Sequence, residues 1–161
     1  MNQMLNNQSQ RAQLPRLLMA LPEDEVIGAA ASFAEQYAIE DIKVPQAGLG
    51  LMQLKDSALQ EGYFLGEIPL ATAHVILTDA QQNRTEGAAQ IMRSEASLAR
   101  AIAIMDAIVS AKLTGHEVVT QLLARGLTVL TEQQTSRKKM LARTRVDFSL
   151  LSSAEEEDAD E

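Results

Sequence analysis

Short apolar runs alternate with turn residues from Ala47 to Asp79, and three strands are read there: GLGLMQLK, GYFLGEI and LATAHVILT, punctuated by DSALQE and Pro69. A connecting strand, Ile42 to Val44, and Pro45 lead into this segment. Upstream the period changes to that of a helix. Residues 9–21 place Leu14, Leu17, Leu18 and Leu21 on one side, with Pro15 opening or kinking the helix. Pro22 opens a second helix to about Ala38, with Glu23, Asp24 and Glu25 in a first turn whose free amides favour carboxylates. Its stripe of Val26, Ile27, Ala30, Phe33, Ala34 and Tyr37 faces a core.

Downstream, AQQNR closes the third strand and TEGAAQIM reads as a fourth, weakened by Gly87 and its alanines. Ser94 is the expected N-cap of the strongest helix, which presents Leu98, Ile102, Met105 and Val109, widened by Ile104 and Ile108, and stops at Thr114-Gly115. His116 to about Arg143 is helical again. Gly126, Thr128 and Val129 favour a break or a short extended piece within it. RVDFSLL closes the chain as a short strand. The pattern as a whole predicts an α+β fold, a mainly antiparallel sheet of four to five strands with helices packed on it. The expected organisation is a flexible N-terminus over residues 1–8, a single α+β domain over 9–152 and a disordered acidic tail over 153–161.

Composition narrows this picture. A chain of 161 residues suffices for one domain that buries roughly 70% of its unfolded surface. With 46% apolar but only 3% aromatic residues, Ala, Leu, Ile, Val and Met must fill the core. The lack of cysteine excludes a disulfide scaffold, a thiolate nucleophile and a thiolate metal site, and suits a reducing cytoplasm. MNQMLNNQSQR lacks the apolar centre of a signal peptide, and no apolar run reaches membrane-spanning length. The formal charge of -8 is concentrated in six acids over residues 155–161, leaving 14 basic against 16 acidic side chains elsewhere. That run reads as a solvated tail. Its sharper reading is a decoy for the basic run Arg137, Lys138, Lys139, Arg143 and Arg145.

Candidate chemistry is sparse. Gly48-Leu49-Gly50 begins like a dinucleotide fingerprint, but Gln53 stands at the third glycine position and the flanks read as strand. No phosphate loop, nucleophile elbow or HExxH pair occurs. His74 and His116 have no companion at a metal-ligand spacing, so no metal site is expected. Glu67, after Gly66, is the carboxylate best placed at a strand end, and an enzyme would have to combine it with His74 on a neighbouring strand. The basic run could meet a polyanion, although without interleaved aromatics it does not suit single-stranded nucleic acid.

The order of these pieces is more specific than any one of them. Arg11 on the first helix, Gly48 and Leu49, then Phe64, Gly66 and Glu67, the strand Val75 to Asp79, Asp106 and Ala107 ending the alanine-rich helix, and Arg145 to Phe148 together resemble the G subunit family of bacterial carbon-phosphorus lyase (PhnG-like). Lys55 is also kept, but Asp56, Ser57 and Ala58 replace the family's glycine-rich turn. Ala71 and Thr72 stand where a Thr-Arg pair is usual, and Arg93 is displaced. The resemblance implies a cytoplasmic accessory or scaffold subunit with no catalytic residue, metal or cofactor of its own. Its complex would form ribose 1-methylphosphonate 5-triphosphate from ATP and methylphosphonate. The implied partners are the H, I and J subunits and the ATP-binding L and K proteins, with neither nucleic acid nor membrane. The positions implied to matter for an interface or anion contact are Lys55, Phe64, Gly66, Glu67, Asp106, Arg145, Asp147 and Phe148. The alternative from another class is a free-standing α+β module that holds a nucleotide or other polyanion on its basic run.

Overall fold

The computed structural model describes residues 11–143. Helix α1 covers residues 11–18 of these, followed by α2 (Glu23–Ser32) and a single 3-10 turn, Phe33–Glu35. Three strands come next, β1 (Ala38–Lys55), β2 (Gly62–Thr78) and β3 (Arg84–Ile91), then helices α3 (Ala96–Ala111) and α4 (His116–Arg143). The sheet is antiparallel in the order β1-β2-β3. Among the described residues it therefore has three strands rather than four to five, because predicted strands fuse. Ile42 to Val44 joins GLGLMQLK in β1, and GYFLGEI joins LATAHVILT in β2.

Both fusions run through a proline that a central strand would not tolerate. Pro45 lies on the edge strand β1, in the register irregularity between Lys43 and Gln46. Pro69 lies where β2 has β1 on one side and no strand on the other, since β3 pairs only from Ala71 onward. Missing N–H groups are accommodated at such positions. The closing strand RVDFSLL lies outside the described residues, as do the N-terminal segment 1–8 and the acidic tail.

Alternation along β2 and β3 sends Ala71, Ala73, Val75 and Leu77, and Gly87, Ala89 and Ile91, to one face. Helix α3 covers that face. It is buried almost all round, from Leu98 to Val109, as a helix apolar on every side must be. Leu14 and Leu18 of α1, Val26 and Ala30 of α2, and Val119 and Leu122 of α4 complete the same core. With so few aromatics the layers close on alanine and glycine. A Cβ on Gly87 would stand 2.1 Å from the carbonyl oxygen of Ala103, and one on Gly126 would stand 2.2 Å from that of Leu17. The second contact explains why α4 runs unbroken through Gly126, Thr128 and Val129. The glycine there is a point of close packing against α1.

Helix ends also differ from expectation. The N-cap position of α3 is Glu95, not Ser94, whose hydroxyl instead donates to the Glu95 carboxylate at 3.1 Å. The same helix stops at Lys112, in the left-handed conformation at φ 51, before Thr114-Gly115 is reached. Helix α2 ends at Ser32, though Phe33 and Tyr37 of its predicted stripe are buried as expected. Compact packing divides the chain into one unit ending at Val129 and a second beginning at Leu130. In the second unit, residues 131–143 form an exposed stretch of helix.

The β2–β3 turn is built on one carboxylate. Asp79 Oδ1 accepts the backbone N–H groups of Gln81 and Asn83 at 2.8 Å, and Oδ2 accepts from the Asn83 side chain at 2.9 Å. The Asn83 side-chain bond first, and the backbone bonds after it, hold the Asp79 carboxyl below its ordinary value. Its contribution to stability is therefore present above the unfolded-state pKa of about 4 and is lost as pH falls through the lower folded value. The stability gap between the unaltered protein and Asp79→Ala should narrow steadily in that acid range. Unfolding curves at stepped pH check this; a gap that does not change with pH would contradict it.

Candidate functional site

The positions singled out in the sequence fall into two separate places. The first is a half-buried ion pair. Asp106, in the middle of α3, receives both donors of a guanidinium fork: Arg11 Nε to Oδ1 at 2.8 Å and a terminal nitrogen to Oδ2 at 2.7 Å. Oδ2 also accepts the backbone N–H of Ala88, on the free edge of β3, at 3.2 Å. The Asp106 side chain is 8% exposed and that of Arg11 is 45% exposed. The hydrogen bond to Asp106 raises the Arg11 pKa above its usual value, against a smaller opposing effect of burial. One carboxylate thus joins α1, α3 and β3. Its carboxylate accepts three protein donors and so fastens these elements together.

Other pairs tie further elements of this unit together. Arg100 of α3 donates to Asp41 of β1 at 2.7 Å, Arg84 of β3 to Glu40 of β1 at 3.2 Å, and Arg125 of α4 pairs with Glu25 of α2.

The second place is the far half of the β1–β2 hairpin. From about Gly48 to Leu70 the two strands pair only with each other, forming a two-stranded arm beyond the end of β3. Lys55, Phe64, Gly66 and Glu67 are all on it. Lys55 ends β1 opposite Gly62, Phe64 pairs with Gln53, Gly66 with Met52 and Glu67 with Leu51. Leu65 is left without a partner where the register shifts, and Gly66 takes a φ of 155 beside it, which suits glycine. The turn at the tip is closed by Asp56, whose carboxylate accepts the N–H groups of Leu59 and Ala58. A glycine-rich anion cradle is thus replaced by a self-satisfied turn.

Many of the arm's side chains are apolar and largely uncovered, with the polar Gln53, Lys55 and Glu67 interspersed. Leu49, Leu51, Phe64 and Leu65 remain between 61% and 69% exposed, and Leu54, Leu59 and Tyr63 are exposed as well. Regular alternation and the register place Leu49, Leu51, Phe64 and Pro69 on one face and Met52, Leu54, Tyr63 and Ile68 on the other. Among the described residues, both faces keep large apolar side chains exposed.

The remaining candidates do not assemble. Glu67 and His74 lie on the same strand, not on neighbouring ones. Seven residues apart, they point to opposite faces roughly 23 Å from each other, too far to share a proton transfer. His74 Nε2 instead lies 3.2 Å from a Glu86 carboxylate oxygen. His116 begins α4, beside Thr120. No group of three or more acidic or histidine side chains among the described residues is placed to hold a metal ion. None of the described helices is long and apolar enough to cross a membrane. Arg137, Lys138, Lys139 and Arg143 are exposed on the last turns of α4. Arg145, Asp147 and Phe148 lie outside the described residues.

Sequence reasoning missed two features. In the sequence Gly87 signals only a weakened strand, although glycine in a strand interior also marks close backbone approach. Lys43, on the sheet face opposite α3, carried no motif; the neighbouring Pro45 was the one sign of irregular backbone there.

Comparison with known families gives a direct result. The model of the family described as "Phosphonate metabolism protein PhnG" matches residues 9–152. No curated protein matches the chain.

Proposed function

This chain belongs to the PhnG family of phosphonate metabolism, and on that premise we propose that it is an accessory subunit of a carbon-phosphorus lyase core complex. In that role it works beside the H, I and J subunits in the cytoplasm and with the ATP-binding L and K proteins. The complex converts ATP and methylphosphonate to ribose 1-methylphosphonate 5-triphosphate, with ATP as its substrate rather than a cofactor of this chain. The observation that carries the reading is the arm. Two faces of large apolar side chains are held out on a two-stranded ribbon. Contiguous apolar surface of this kind marks an interaction site. The family positions Lys55, Phe64, Gly66 and Glu67 lie on the same ribbon, so the resemblance and the exposed surface coincide.

Co-expression with the H, I and J subunits should give one assembly that survives affinity capture and size exclusion. Replacing Leu51 and Phe64 together by serine should weaken that association roughly tenfold or more, as loss of central apolar anchors does. The fold should persist, because neither side chain belongs to the core. A chain that remains monomeric beside all three subunits would refute the reading and favour the polyanion-binding alternative on Lys138, Lys139 and Arg143.

A further inference from the structure

The last turns of α4 carry a concentration of positive charge that the described residues do not answer. Arg137, Lys138, Lys139 and Arg143 are all exposed, and at 1.5 Å of rise per residue they fall within about 9 Å of helix axis. None of them makes an ion pair among the described residues. The helix does not neutralise them itself. Glu132 is the one carboxylate between Leu130 and Arg143, and its neighbours three and four residues on are Thr135 and Ser136. Lys139 and Arg143, one turn apart, repel each other. Attraction to the helix C-terminus accounts for Arg143 in the last turn, but it fades beyond that turn and does not extend to Arg137, Lys138 and Lys139.

A matching charge lies in the same unit, the one that begins at Leu130. Residues 155–161 hold six carboxylates, those of Glu155, Glu156, Glu157, Asp158, Asp160 and Glu161. Residues 144–154 separate Arg143 from them. That stretch has a reach of up to ~36 Å, several times the length of the basic run, so the acids can return along it. A partner tethered at such a separation acts at an effective concentration on the order of millimolar, ahead of most free polyanions.

We propose that residues 155–161 dock on the basic run of α4 within one chain, and that outside polyanions compete with them for the same four cations. The acidic run is then a built-in occupant. It relieves the repulsion along α4 and admits only those polyanions that displace a tethered rival. Because the cations are exposed, the contact is screened by salt. It does not involve the arm, so its failure would leave the assembly reading untouched.

The chain has no cysteine, so Ala159→Cys gives the full chain a single attachment point for a nitroxide spin label. The label should weaken the amide NMR signals of Arg137, Lys138 and Lys139. Replacing all four cations by glutamine keeps the tether and sets the baseline that chain connectivity alone gives. Against that baseline the signals should fall roughly twofold or more at low salt and recover in molar salt, where the Debye length is about 3 Å. Heparin, used as the competing polyanion, should also restore them. None of the four side chains belongs to the core, and an amide spectrum unchanged up to Val129 establishes that the glutamine variant is folded. A mixture of isotope-labelled chain without nitroxide and unlabelled chain bearing it should show full signals. Signals equal to those of the glutamine variant, weakening in the mixture as strong as within one chain, or weakened signals that heparin leaves unchanged would each overturn the proposal.

Discussion

Replacing Gly87 by alanine should destabilise the protein more than any other single methyl addition in the sheet. The new Cβ would stand 2.1 Å from the Ala103 carbonyl oxygen, 2.6 Å from the Ala107 nitrogen and 2.8 Å from the Ala107 Cβ. These neighbours belong to α3, two of them to its backbone, so no side chain can rotate away. Either α3 lifts from the sheet or β3 bends. Overpacking a core costs about 1–3 kcal/mol where side chains can adjust, so here about 3 kcal/mol or more is expected. That is a large part of the 5–15 kcal/mol typical of a domain. Urea unfolding followed by circular dichroism gives the measurement. A Gly87→Ala midpoint equal to that of the unaltered protein would show that α3 does not seat on β3 as described.

Removing the Asp106 carboxylate should cost nearly as much, for a different reason. Asp106→Ala strips three donors of their acceptor. Arg11 can turn to water, being half exposed, whereas the Ala88 N–H at the edge of β3 loses the acceptor that α3 supplies. Breaking a buried pair from one side costs about 3–5 kcal/mol, and the exposure of Arg11 reduces this to about 2–4 kcal/mol. Arg11→Ala leaves the carboxylate buried with one amide donor, so its cost should be similar. The double substitution should cost clearly less than the two single costs added together, because the second change removes a group already stranded by the first. Equilibrium unfolding of all four proteins closes the cycle. Strictly additive costs would mean that the pair does not couple α1 to α3.

Much of this was legible in the order of the residues. The alternation in TEGAAQIM gave β3, and the stripe from Leu98 to Val109 gave α3, because each period reports which side meets a core. The turn at Asp79 announced itself through AQQNR. What stayed hidden depends on residues distant in sequence. Pro45 and Pro69 looked like strand ends because local rules do not say which stretch of a strand lacks a second neighbour. Gly126 looked like a helix break, since nothing local records that Leu17 presses against it. The Arg11–Asp106 pair was visible only as two positions in a family pattern, 95 residues apart, and its fastening role required the fold. Among the site candidates, Lys55, Phe64, Gly66 and Glu67 were read as a string of motif positions. The hairpin pairing is what brings them onto one ribbon, with Lys55, Phe64 and Glu67 on the same face.

That hairpin has a thermodynamic side. Its inner half is held by a third strand and by α3, whereas among the described residues its outer half pairs only through the ladder between β1 and β2, and a two-stranded ribbon alone is marginal in water. The free energy needed to open backbone hydrogen bonds therefore falls along the length of the same two strands, from core to tip. A partner that covers the arm must supply the cost of ordering it as well as the contacts themselves. In the proposed assembly, part of the binding energy would be spent on ordering this ribbon, so that the outer hairpin and subunit association would form one linked equilibrium.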